Sequence, residues 1–116
     1  MNRVKFYICP TCNNVLFSTG KADISCCGRK LDALSIKAEP ENHIMKIEEV
    51  EDDYFITMEH EMSKAHYISF VAYIECDRVL LMKLYPEQNA ELRFPKMYSK
   101  KLFVYCNKHG LWEKRI

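Results

Sequence analysis

HYISFVAYIE, residues 66–75, decides the fold. Between Tyr67 and Ile74 nearly every residue is apolar, and most are β-branched or aromatic. Strict alternation puts Ile68, Phe70, Ala72 and Ile74 on one face and Tyr67, Ser69, Val71 and Tyr73 on the other, as expected of a central strand covered on both sides. Downstream, Glu75-Cys76-Asp77-Arg78 reads as a hairpin turn into 79–84 (VLLMKL), and Tyr85-Pro86-Glu87 as a loop before 90–94 (AELRF) and 101–106 (KLFVYC). Upstream lie 43–50 (HIMKIEEV) and 54–58 (YFITM). Short runs of this kind separated by turn signals predict an all-β sandwich. The chain shows no internal repeat, low-complexity tract or helical pattern.

A chain of 116 residues with 48% hydrophobic residues, including seven Tyr, six Phe and one Trp, can bury one such core and carry a small appendage. The net charge of +1 provides no basic field for nucleic acid or an anionic membrane surface. No stretch approaches the ~20 apolar residues of a membrane span, and MNRVKFYICPTC lacks the apolar region of a signal peptide, so a cytoplasmic protein is expected. In a reducing compartment its six cysteines are expected as thiols and, where clustered, as metal ligands.

Residues 1–35 hold four of those cysteines and little apolar material after Leu16-Phe17, so this segment needs a staple. The polar stretch from Lys37 to Asn42, with Pro40 inside it, reads as a linker. In CPTCNNVLFSTGKADISCCGRK, Cys9 and Cys12 form a C-x-x-C pair, and Cys26 and Cys27 follow after thirteen residues. A C-x-x-C turn brings two thiolates to one ion, and a returning hairpin can complete a tetrahedral S₄ site. Because Cys26 and Cys27 are adjacent, their side chains must splay from consecutive backbone positions, and a distorted tetrahedron is expected. Sulfur ligation admits zinc and iron alike.

A second constellation lies at the far end. In VYCNKHGLW, Cys106 and His109 form a C-x-x-H pair where an apolar strand ends. The remaining histidines are His43, His60 and His66. Six residues turn a helix by about 240° and carry a strand about 20 Å, so His60 and His66 share a partner only if 61–65 folds back as a turn. Read singly, these are surface histidines beside a strand-end cysteine. Read together, every histidine sits at an edge or loop of the expected sandwich, where loops cluster. Four imidazoles and one thiolate exceed the needs of tetrahedral zinc and leave one octahedral position open, which suits redox-active iron and a small oxygen species. Cys76 is read as a structural thiol.

The blocks YICPTCNNV…CCGRKL, PENHIMKIE, HEMSKAHYI and YCNKHGLW resemble, in order and over almost the whole chain, those of the desulfoferrodoxins, which are superoxide reductases. The resemblance implies a small desulforedoxin/rubredoxin-like metal-bound domain over 1–36, followed by an immunoglobulin-like β-sandwich over 37–116. It implies an Fe(Cys)₄ centre on Cys9, Cys12, Cys26 and Cys27, with zinc possible there. It also implies a catalytic iron with His43, His60, His66 and His109 equatorial and Cys106 axial, and Glu41 as the carboxylate that can take the sixth position when the iron is oxidised. Superoxide would be the substrate, a rubredoxin-like protein the electron donor, and a homodimer the assembly.

Two features depart from the family pattern. The loop between the cysteine pairs is slightly short, and Asn42 stands where the family commonly has a lysine that attracts superoxide. Lys46 is a poor substitute, since an odd offset from His43 on a strand points it to the other face. The alternative is a zinc- or iron-stabilised binding or electron-transfer module of the same fold without reductase activity.

Overall fold

In the computed structural model, placement is described for residues 4–38, 44–59, 62–74, 78–96 and 101–115. Among them there is no α-helix, so none is long and apolar enough to cross a membrane. The chain divides into two compact units, Met1–Ser35 and Ile36–Ile116.

The first unit consists of two antiparallel hairpins. Strands β1 (Lys5–Ile8) and β2 (Val15–Ser18) form one, and β3 (Ile24–Cys26) and β4 (Arg29–Leu31) the other. Its interior is small: Tyr7, Cys9 and Leu31 are buried, with Leu16, Ile24 and Cys26 packed against them. Tilted rings of Phe6 and Phe17, 6.4 Å between centroids, add one cross-strand contact.

The second unit holds β5 (Ile36–Lys37), β6 (Ile44–Val50), β7 (Asp53–Glu59), β8 (Ile68–Ile74), β9 (Val79–Lys83), β10 (Glu91–Pro95), β11 (Lys101–Cys106) and β12 (Gly110–Arg115). A three-stranded sheet in the order β10-β7-β6 and a five-stranded sheet in the order β5-β12-β11-β8-β9 form the all-β sandwich. The shared core joins Tyr54, Ile56, Leu92 and Phe94 of the first sheet to Ile68, Val71, Tyr73, Leu102, Val104, Cys106 and Trp112 of the second. Tyr73 and Phe94 meet across the two sheets, ring centroids 5.5 Å apart.

Three expectations need correction. Alternation along β8 is not strict: Phe70 faces Tyr105, but Ile68, two residues back, faces Cys106, the very next residue of β11. Ser69 is the extra residue of a β-bulge, and the bulge turns Ile68 onto the core face beside Val71 and Tyr73, rather than beside Phe70, Ala72 and Ile74. The bulged residue is buried but satisfied, since its hydroxyl accepts from Lys83 Nζ (3.1 Å) and its carbonyl from Leu84 N–H (2.9 Å). Second, Lys37 is not linker: it pairs in β5, parallel to β12. Third, β12 was not among the expected runs, because its glycine and charged residues hide a strand whose Leu111 and Trp112 are buried. The turn residues Glu75, Cys76 and Asp77, and 39–42 of the expected linker, lie outside the described residues.

Candidate metal centres

The first cluster is assembled from two turns. After β1 the Cys9 carbonyl accepts from Asn13 N–H (2.8 Å), and Cys9 N–H donates to the Asn14 carbonyl (3.0 Å), closing the C-x-x-C turn with Asn13 at φ +60°. Between β3 and β4, Cys27 (φ +54°) and Gly28 (φ +72°) both take the left-handed conformation. That backbone lets the neighbouring thiols diverge from Cys26 and Cys27, a strain a non-glycine residue adopts only where the surroundings hold it.

The Sγ atoms of Cys9, Cys12, Cys26 and Cys27 all lie within 4.8 Å of one another. Cys12 and Cys26 are 3.7 Å apart, and Cys26 and Cys27 4.0 Å. Four sulfurs at 2.3 Å from one ion would stand about 3.8 Å apart, so the donor set fits a tetrahedral metal. The thiols are tuned unequally. Backbone N–H groups, that of Cys12 foremost and then Thr11, draw the Cys9 pKa down to about 6. Cys27, crowded by Cys12, Cys9 and Cys26, is pushed up to about 12, because it would be a further negative charge in one small space. Cys26 is raised as well, chiefly by Cys12.

The second cluster sits at one end of the sandwich. β11 ends at buried Cys106, the chain turns through Asn107, Lys108 and His109, and β12 begins at Gly110, which pairs with Cys106. Cys106 Sγ lies 3.5 Å from His109 Nδ1, which lies 3.3 Å from His66 Nε2. Donors about 2.0–2.3 Å from one ion, at angles of about 90–110°, are separated by about 3.0–3.6 Å, so these three atoms fit one face of a coordination sphere. Burial raises the Cys106 pKa, opposed by the backbone N–H groups of Lys108 and His109 and by the Lys108 charge. A buried thiol of this kind becomes a thiolate readily only when a cation takes the place of its proton.

The chain does fold back ahead of β8. Ser63 and His66 exchange backbone hydrogen bonds in both directions (3.1 and 3.2 Å), closing a turn that delivers His66 to Cys106 and His109. Of the residues proposed from sequence, Cys9, Cys12, Cys26 and Cys27 are brought together, as are His66, Cys106 and His109. His43, His60, Glu41 and Asn42 lie outside the described residues.

Two residues near the second cluster escaped sequence reading. Gly110, at φ +86°, leaves room for the Lys37 stem: an added Cβ would meet Lys37 Cδ at 3.1 Å. Asn107 was invisible because nothing in its type marks it among exposed turn residues; its partners lie some 40 residues away.

A family model described as Desulfoferrodoxin matches residues 35–115. This chain belongs to the desulfoferrodoxin family. It is 28% identical to a desulfoferrodoxin of Syntrophotalea carbinolica over 95% of this chain and 94% of that one. It is also 28% identical to a desulfoferrodoxin homolog of Methanothermobacter thermautotrophicus over 93% and 95%. Its fold matches the crystal structure of the superoxide reductase from Treponema pallidum with a TM-score of 0.81 at 20% identity, covering 97% of both chains. The desulfoferrodoxin family implies iron centres, and both donor sets have the composition and spacing to hold one.

Proposed function

We propose that the protein is a superoxide reductase, with an Fe(His)₄(Cys) centre on His43, His60, His66, His109 and Cys106, and an Fe(Cys)₄ centre on Cys9, Cys12, Cys26 and Cys27. The observation that carries this reading is the meeting of a buried cysteine with two imidazole nitrogens at the end of a desulfoferrodoxin sandwich. Iron bound there would supply the one-electron reduction of superoxide, which with two protons gives hydrogen peroxide. Cys106 contributes the thiolate, electron-rich and shielded from water by burial. His66 and His109 present Nε2 and Nδ1 respectively. Glu41 is the candidate carboxylate for the open position.

Attraction of the anion is assigned to lysines other than the one the family pattern expects. Lys108 lies between Cys106 and His109 and acts electrostatically on Cys106, and Lys37 lays its stem over Gly110, the residue after His109. Both side chains belong to exposed residues. The same reading divides the chain into a desulforedoxin-like Cys₄ domain and a reductase sandwich. It also includes a rubredoxin-like donor to restore ferrous iron, a homodimer, and the cytoplasm, where thiols such as Cys9, Cys12, Cys26, Cys27 and Cys106 stay reduced.

Rapid mixing of the ferrous protein with superoxide tests it. Bleaching or a transient faster than the buffer control, with peroxide formed, is the expected outcome. No reaction, in a protein whose visible spectrum and metal content show zinc at the first cluster and none at the second, would establish the binding-module alternative.

A further inference from the structure

Three hydrogen bonds tie Asn107 to the turn that carries His66. Its Oδ1 accepts from Tyr67 N–H (2.9 Å), its Nδ2 donates to the Ala65 carbonyl (3.0 Å), and its backbone N–H donates to the Tyr67 carbonyl (3.2 Å). Ala65 and Tyr67 are the residues on either side of His66, so the amide grips the chain immediately before and after that imidazole. Asn107 itself lies between Cys106 and His109.

We propose that Asn107 is the positioning residue of the second centre: one side-chain amide sets His66 against the Cys106–His109 pair, fixing the three-donor face before any metal arrives. An amide suits the task because it donates and accepts at once, matching one carbonyl and one N–H that point the same way. Aspartate can only accept, and alanine does neither. The ladder alone does not complete this alignment: past the bulge at Ser69 its last pair is Ile68 with Cys106, and His66 lies two residues before Ile68, ahead of β8. Without the side-chain amide the turn is still closed internally through Ser63, but of the three Asn107 bonds only the backbone one to the Tyr67 carbonyl remains.

The inference rests on reading Cys106, His66 and His109 as ligands, yet it is testable without superoxide. In metal-free protein, hydrogen exchange of Tyr67 N–H should be slow in wild type and accelerated by Asn107→Ala, with β11 amides unchanged. Ferrous iron loaded into Asn107→Ala should pass to a chelator about 10–100-fold faster, the range found when groups supporting metal ligands are removed. The ferric thiolate absorption should shift in position as well. Asn107→Asp keeps the Tyr67 contact and loses the Ala65 contact, so Tyr67 exchange should stay slow while iron release is intermediate.

Unchanged Tyr67 exchange and unchanged iron release in Asn107→Ala would overturn the proposal. If Asn107→Ala also loosens β11, Asn107→Asp decides: iron release equal to wild type overturns it, and faster release with a protected β11 supports it. Iron-loaded wild type that does not reduce superoxide, together with faster Tyr67 exchange and iron release in Asn107→Ala, would count against the reductase reading and leave the latch standing.

Discussion

The two donor clusters stand on very different foundations. Cys9, Cys12, Cys26 and Cys27 lie at or beside turns between short strands over a small interior of Tyr7, Cys9 and Leu31. His66, Cys106 and His109 occupy turns at the end of a sandwich whose core spans two sheets. A metal in the first place would do the work a hydrophobic core does elsewhere, whereas the second place would remain folded with no metal at all. On the proposed reading, similar ligand chemistry serves structure in one unit and reactivity in the other.

The largest effect should come from removing a ligand of the first cluster. Structural sites of this kind contribute on the order of 10–16 kcal/mol to folding of the segment that holds them. Cys9→Ser should therefore unfold residues 4–35 while β8 and β11 keep their amide protection, as hydrogen exchange by mass spectrometry would show. Simultaneous loss of protection in both units would break the contrast.

Next is Cys106→Ser. Burial is nearly conserved and the thiolate is lost, so superoxide reduction should fall on the order of 10²-fold or more, about 2.7 kcal/mol in the barrier. The melting transition of the sandwich should move by only a few degrees. A large fall in melting temperature would make this cysteine part of the fold rather than of the chemistry.

Acid should weaken metal binding at both clusters, but with different slopes. Protons compete with the metal wherever a thiol is protonated in the metal-free protein, so affinity rises with pH up to that thiol's pKa. Cys9, drawn down to about 6, is already ionised at neutral pH and contributes no slope there. Cys26 and Cys27 are both raised and must each shed a proton, whereas the second cluster has the single raised thiol of Cys106. Between about pH 7 and 8.5, affinity should change by roughly two decades per pH unit from Cys26 and Cys27 and roughly one from Cys106. Competition with a chromophoric chelator measures both, and equal slopes would contradict the two raised thiols of the first cluster.

The smallest effect concerns charge. One positive charge about 5 Å from the iron, at an effective dielectric near 20, attracts a unit anion by about 3 kcal/mol before screening. If no other cation acted there, Asn42→Lys would speed the bimolecular reaction about tenfold and steepen its salt dependence. If Lys37 and Lys108 already provide the field, Asn42→Lys will add less, and Lys108→Gln will slow the reaction instead. Equal rates and salt slopes in all three proteins would remove charge capture from the account.

The C-x-x-C and C-x-x-H pairs were legible because their message is local: both are turns that aim neighbouring side chains together. The strands around 66–75 were legible from their β-branched and aromatic runs. β12 was not, because Gly110, Glu113, Lys114 and Arg115 dilute its two buried residues. Nor was the bulge, since Ser69 looks like any alternate residue and only its pairing with β11 reveals the extra step. Asn107 was hidden for the same reason, its meaning lying in a turn far away in sequence.

That bulge also sets the phase of everything before it. Were Ser69 instead to pair with Cys106, β8 would have an unbroken ladder with β11 and a more regular sheet, but each preceding residue would turn to the opposite side. Ser69 would take the inward place of Ile68 opposite Cys106, and His66 would be carried one residue further from the thiol. In this chain a defect in the weave is what keeps the imidazole in step with the thiol, and a protein evolving toward the tidier strand would lose the centre.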